Sequence, residues 1–484
     1  MIRAGLSSRR KGAATALAGL LLTVAAVGAW AGTDSPVSIP NSQYEPVAWS
    51  DIEGWAEDDH AAAFAAFLKS CRPVVRSTAA FEEARPLLEG RREVCRRALA
   101  SGPMEASAVR GFFEQNFRPV RISKLGENEG FLTGYYEPIV EGSRFPSDVY
   151  TVPVYRRPAD LVAAGHGKLA PGTFPNKGKV GRSDAQGKVV PYYDRGEIED
   201  GVLAGKGLEI CWLKDPTDLL FIQIQGSARV RLDDGKMLRI GYDGHNGWPY
   251  VPVGRILIER GLVPRNEMSM DRIREWINAN PQGASELRRK NQSYVFFHEL
   301  KLSSQDEAIG GQGVPLSPGR SIAIDRSIHL YGTAFFINAT LPIESARAGT
   351  RYSRLMVSQD TGSAIVGPAR ADIYFGAGLE AGQVAGRIRH PGRFVMLIPR
   401  EMDPVEAGAK MPLPLPKPAA QQIAQAEKTA TAAKPQEARR AGRGSHIRFR
   451  SFRRDARSQT FSRPVWERSE FRPIRRVLRH RTWR

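Results

Sequence analysis

Two aspartates twelve residues apart, Asp360 and Asp372, are the side chains of this 484-residue sequence best suited to proton transfer. They lie in the stretch RYSRLMVSQDTGSAIVGPARADIYFG, residues 351–376. An exposed aspartate titrates near 3.9, so at pH 7 about one in a thousand carries a proton, and using it as an acid costs ~4 kcal/mol. Burial or a neighbouring carboxylate removes much of that cost by raising the pKa. Asp372, set before Ile373-Tyr374-Phe375 with Asp360 as a neighbour, has the sequence context for such a shift. Asp360 carries a second reading, because Asp360-Thr361-Gly362 after an apolar strand is the local pattern of an aspartic protease. That chemistry needs two aspartates about 3 Å apart sharing one proton, and no second Asp-Thr-Gly or Asp-Ser-Gly loop exists in the chain.

Other chemistries lack their residues. The eight histidines are scattered, with no His-Glu-x-x-His and no His/Cys cluster at zinc-ligand spacing. There is no Gly-x-Ser-x-Gly elbow and no phosphate-binding Gly-x-x-x-x-Gly-Lys loop; Gly311-Gln312-Gly313 runs into Val314-Pro315 rather than a helix. No metal and no cofactor is expected. The net charge of +19 invites a polyanion, but +12 of it falls between Glu401 and Arg484, where 20 basic residues face 8 acidic ones. The remainder is ordinary for its size, so nucleic acid is not expected as a partner.

The aspartates must be positioned by β structure. Residues 354–358 and 371–375 are rich in β-branched and aromatic residues and read as strands, joined through turn chemistry at Thr361-Gly362-Ser363. Further strands are expected at 150–155, 209–213, 219–225, 321–324, 334–337 and 394–398, with a hairpin of 230–232 and 237–240 across Asp233-Asp234-Gly235. Before Val120 the texture is helical. Asp58-Asp59 cap a helix with Phe64, Phe67, Leu68 and Cys71 on one face, and helices follow at 91–100 and 104–117. Residues 255–280 read as helical, interrupted by Pro264.

The two ends differ from this core. Arg3, Arg9, Arg10 and Lys11 precede an apolar run from Ala13 to Ala31 that closes in Ala29-Trp30-Ala31, the layout of a signal peptide over 1–31; an uncleaved anchor is the alternative. Export to the periplasm or the outer envelope is therefore expected. No Cys precedes Cys71, so the sequence does not read as a lipoprotein. In an oxidising compartment Cys71 and Cys95, flanking a short helical hairpin, are expected to pair as a disulfide, the alternative being two buried thiols. Residues 401–484 are Pro/Ala-rich and then Arg-rich, and read as a disordered basic tail. Aromatics interleaved among its arginines suit an anionic membrane or cell-wall polymer; a plain solvated tail is the alternative.

Between the ends, several blocks together resemble the membrane-bound lytic murein transglycosylase A family. They are Thr133-Gly134-Tyr135-Tyr136-Glu137-Pro138, DPTDLLFIQIQGSARV (residues 215–230), Asn246-Gly247-Trp248-Pro249-Tyr250, Ser293-Tyr294-Val295-Phe296-Phe297, Gly313-Val314-Pro315-Leu316 with Gly319-Arg320-Ser321, and residues 351–376. The C-terminal blocks resemble the domain named for three aspartates, here Asp325, Asp360 and Asp372. The resemblance implies a mainly β protein with N-terminal helices. A double-psi β-barrel (45–138 and 301–400) would carry a second, smaller β-barrel inserted at 139–300, with peptidoglycan glycan strands bound between the two. It implies cleavage of the β-1,4 bond between N-acetylmuramic acid and N-acetylglucosamine, with formation of a 1,6-anhydro ring. Asp372 would be the single acid/base, with Asp360 and Asp325 supporting it. For sugar contacts the expected residues are Thr133, the rings of Tyr135 and Tyr136, and Gln223, Gln225 and Ser227 from one strand and its exit. An aspartic protease using Asp360 and a non-catalytic glycan-binding barrel remain open as alternatives.

Overall fold

Six strands close into a barrel that carries both aspartates. They are β1 (Gly130–Glu137), β2 (Ser321–Ile324), β3 (Ala334–Leu341), β4 (Thr350–Thr361), β5 (Arg370–Ala377) and β6 (Arg389–Pro399). Their spatial order is β6-β3-β4-β2-β5-β1, with β1 returning to β6. The pairs β2–β4 and β1–β5 are parallel and the others antiparallel. The far half of β6 also pairs with the strand Phe117–Lys124, which in turn pairs with Ser42–Pro46. The computed structural model describes residues 41–76, 85–163, 180–347 and 349–402. The expected signal segment and the tail beyond residue 402 lie outside these.

The barrel strands are apolar on both faces because both faces are covered. Phe335, Ile337 and Met356 turn into the barrel core, while their neighbours Phe336, Leu355 and Val357 pack outward beneath the N-terminal helices. Those helices span His60–Arg76, Arg85–Ala100 and Ala106–Asn116. A disulfide between Cys71 and Cys95 joins the first two. Of the expected capping pair only Asp59 caps, accepting from Ala62 N at 3.0 Å. Asp58 instead takes Arg320 Nη1 and Leu355 N, both at 2.8 Å, and so pins the first helix to the barrel.

A second six-stranded sheet is built from residues 139–299. Its order is Val295–Glu299, Met237–His245, Ser227–Leu232, Ile139–Ser143, Glu209–Leu213, Val152–Tyr155. A bridge between Arg156 and Phe297 joins its two edge strands around an apolar core. The hairpin turns at Asp233-Asp234-Gly235, where Gly235 supplies φ 81°.

The strand expected at 219–225 is a helix, Pro216–Gln225. Its apolar run is β-like in composition because the helix is buried on two sides. Leu219 and Ile222 join the insert's β core, and Leu220 and Phe221 join a helical core with Leu257, Ile277 and Leu287. Capping decides the structure: the Asp215 side chain accepts from Thr217 N at 2.7 Å, Pro216 opens the first turn, and Gly226 at φ 82° ends the last.

Candidate active site

Strand register places the aspartates. On β2, Ala323 pairs with Asp360 of β4 on one side and with Asp372 of β5 on the other. Adjacent strands lie about 4.8 Å apart, so the two aspartate backbones are roughly 10 Å apart. Asp360 thus sits within the end of a strand rather than in the turn that its Asp-Thr-Gly context suggests. The carboxylates make no bond to each other, and each has its own set of donors.

Asp360 is fully engaged. Its Oδ1 accepts Gly311 N and Thr361 N, both at 2.8 Å, and its Oδ2 accepts the Tyr135 hydroxyl at 2.8 Å. Burial pushes its pKa up, against these donors. A Cβ on Gly311 would come within 2.6 Å of the Tyr331 hydroxyl oxygen, so any larger residue there would have to displace that hydroxyl to keep its N–H on the carboxylate. The Gly311-Gln312-Gly313 run, which carries no nucleotide chemistry, therefore serves as a clamp on Asp360.

Asp372 is engaged on one oxygen only. Its Oδ1 accepts Thr133 Oγ1 at 2.6 Å, directly across the parallel β1–β5 pairing. Arg370 Nη2 donates to the same Thr133 oxygen at 2.8 Å. A hydroxyl has one hydrogen, so Arg370 fixes it toward Asp372. Oδ2 has no protein partner among the described residues. Burial pushes the Asp372 pKa up to about 6, opposed by the Thr133 hydrogen bond and the Arg370 charge and aided by Asp360.

Asp372, Asp360 and Tyr135 face a cavity of about 160 Å³ between the two barrels. The insert closes the opposite wall with Gln223, Gln225, Tyr250 and Ser293. Burial pushes Tyr250 up to about 12, so its phenol is a neutral hydrogen-bond donor.

Of the expected sugar contacts, Tyr135, Gln223 and Gln225 line the cavity, and Thr133, Tyr136 and Ser227 do not. Tyr135 lines it with its ring packed on Tyr374 at 5.3 Å and its hydroxyl donated to Asp360. Thr133 stands behind Asp372, and Tyr136 packs over Gly382, where a Cβ would lie 2.8 Å from the ring. Gln223 and Gln225 reach the cavity from the last helical turn, not from a strand. Gln225 Oε1 also accepts Tyr136 N at 3.1 Å, and so links the insert to β1. Ser227 is buried at the start of the hairpin, outside the cavity lining. Asp325 accepts Ser327 N, Ser327 Oγ and Gly367 N, tying two loops together away from the cavity. Arg370, Gly311 and Tyr250 were not anticipated as site residues. Arg370 alone had a readable signal, since strand positions two apart share a face.

Comparison with known proteins matches residues 131–298 to the family described as MltA specific insert domain and residues 320–398 to the 3D domain. Membrane-bound lytic murein transglycosylase A of Vibrio cholerae is 34% identical over 294 residues, 59% of this chain and 70% of that protein. The Escherichia coli K12 protein of the same name is 32% identical over 269 residues, 55% of this chain and 65% of its own length. Among solved structures, a membrane-bound lytic murein transglycosylase from Agrobacterium tumefaciens is 35% identical with a TM-score of 0.66, covering 76% of this chain and 99% of that one. MltA from Neisseria gonorrhoeae is 30% identical with a TM-score of 0.62, covering 75% and 94%.

Proposed function

The chain belongs to the membrane-bound lytic murein transglycosylase A family and is a peptidoglycan lytic transglycosylase, and from that premise we propose that Asp372 is its single acid/base. The observation that carries this is the contrast between the two carboxylates. Each oxygen of Asp360 is held by a protein donor, whereas Asp372, also lining the cavity, keeps one oxygen without a protein partner among the described residues and has its pKa pushed up to about 6. At pH 7 roughly one Asp372 in ten is then protonated, against about one in a thousand for an exposed aspartate.

In this reading a glycan strand lies in the cleft between the barrels. Asp372 gives its proton to the oxygen joining N-acetylmuramic acid C1 to N-acetylglucosamine, and the C1–O bond breaks. The resulting carboxylate takes the proton of the muramoyl C6 hydroxyl as that oxygen bonds to C1. The proton lost in the first step is regained in the second, and no water is consumed. A hydrolase at this site would need a second free carboxylate to activate water or to hold a glycosyl intermediate. An internal hydroxyl is already held at high effective concentration, so one carboxylate serves both steps. We read the closed six-stranded barrel as the double-psi barrel of the family, a reading supported by its two parallel pairs among antiparallel ones. The substrate lies outside the cytoplasm, so the reading includes export to the envelope. Among the described residues no helix is long and apolar enough to cross a membrane.

Products of digested sacculi test the reaction: 1,6-anhydromuramoyl ends are expected, and reducing ends would mean hydrolysis. The pH profile tests the acid. With a working group near 6, the rate is expected to fall about tenfold per pH unit on the alkaline side. Arg370→Met removes a cation that lowers the Asp372 pKa, so the alkaline limb is expected to move upward by on the order of one pH unit. Initial rates measured between about pH 4 and 9 check both, and a limb that stays put would separate Arg370 from the proton.

A further inference from the structure

Beneath the N-terminal helices lies a second cavity, of about 80 Å³, which shares no residue with the cleft between the barrels. Its walls are mostly apolar and include Phe67, Val94, Phe117 and Ile398. Into it projects Arg91, which is 7% exposed. Its Nη1 is enclosed and meets no hydrogen-bond partner among the described residues. Burial lowers its pKa to about 10, which leaves it charged at neutral pH. Among the described residues no aspartate or glutamate lines the cavity. The two polar side chains that do are otherwise engaged: Thr333 Oγ1 donates to Leu330 O at 2.8 Å, and His329 Nε2 lies 2.8 Å from Pro368 O.

An enclosed guanidinium nitrogen with no acceptor among the described residues is unfavourable, and a native fold keeps one where something compensates it. The backbone makes room for the head group. Gly332 has φ +79°, and a Cβ there would lie 3.2 Å from Arg91 Nη2. The volume exceeds the ~10–15 Å³ that one water needs.

We propose that this cavity binds a small monoanion, a carboxylate on a short aliphatic chain. A guanidinium matches a carboxylate with two parallel hydrogen bonds, and the apolar walls suit the chain. A phosphate or sulfate would bring more acceptor oxygens than the cavity has donors. The same chemistry is offered by a free short-chain acid and by the C-terminal carboxylate of a peptide ending in a small residue. Neither source depends on the assignment of Asp372.

The test is the unfolding midpoint of the whole chain in sodium butyrate, N-acetylalanine or sodium chloride at matched ionic strength. One of the two carboxylates is expected to raise the midpoint saturably by about 2 °C or more, with chloride inert; the better of the two identifies the source. Arg91→Met should abolish the rise. The proposal is overturned if neither carboxylate acts or if Arg91→Met responds equally. Should Arg91→Met fail to fold, structures of the unaltered chain grown with butyrate and with N-acetylalanine decide: a carboxylate seated on Arg91 in either supports the site, and its absence from both overturns it.

Discussion

Asp372→Asn is expected to lower peptidoglycan turnover at least about 10³-fold while leaving the fold as stable as before, or more so. The two halves of this expectation have separate causes. Asparagine keeps an oxygen for the Thr133 hydroxyl and so preserves the β1–β5 contact at 2.6 Å, but it has no proton to give to a leaving oxygen and no basic site for the C6 hydroxyl. The stability half follows from the sign of the pKa shift. The folded carboxyl holds its proton to a higher pH than the unfolded one, so its ionisation weakens the fold as pH rises from about 4 toward about 6. A neutral side chain escapes that penalty. Release of anhydromuramoyl products and the unfolding midpoint, measured on the same preparation, separate the halves. Near-normal turnover would remove Asp372 from the reaction. Asp360→Asn is expected to cost less activity, because an amide oxygen can still accept from Gly311 N and Thr361 N.

What could be read in advance depended on how local each feature was. Strands β4 and β5 announced themselves through runs such as Leu355-Met356-Val357 and Ile373-Tyr374-Phe375. The hairpin around Gly235 carried its turn in its sequence. Composition misled at Leu219-Leu220-Phe221-Ile222, where burial on two sides imitates a strand, although Asp215-Pro216 and Gly226 had marked the helix ends. The site itself was harder to see. Thr133 meets Asp372 across 239 residues of sequence, through a parallel pairing that no local pattern encodes. Tyr135 lines the cavity and also donates its hydroxyl to Asp360 while its ring packs on Tyr374, a bond to a residue 225 positions away that its own sequence context does not carry. Tyr250 reaches the cavity only because the second barrel docks over the first.

Glu137→Ala is expected to destabilise the protein by ~3–5 kcal/mol, among the largest effects of any substitution outside the apolar cores. Glu137 is the last residue of β1, where the chain leaves the first barrel, and its side chain is fully buried. Its carboxylate takes Arg239 Nη2 at 2.9 and 3.0 Å and Arg229 Nε at 2.8 Å, both from the insert's hairpin. The same arginines reach the segment where the chain returns. Arg229 donates to Ser304 O and Asp306 O, and Arg239 to Ser303 O and Asp306 O. One ionic cluster thus ties together both connections between the barrels. Removing the acid leaves two largely buried cations with only neutral carbonyls for partners, which is the costly way to break such a cluster. Replacing all three charged residues by methionine or leucine is cheaper in many proteins, but here it would also strip the returning carbonyls of their donors. The triple variant is therefore expected to recover only part of the loss in denaturant titrations. If it matched the unaltered chain in stability, the cluster would be dispensable for folding. A rise in KM at unchanged kcat on soluble glycan would then show that its contribution lies in holding the walls of the cleft at their working separation.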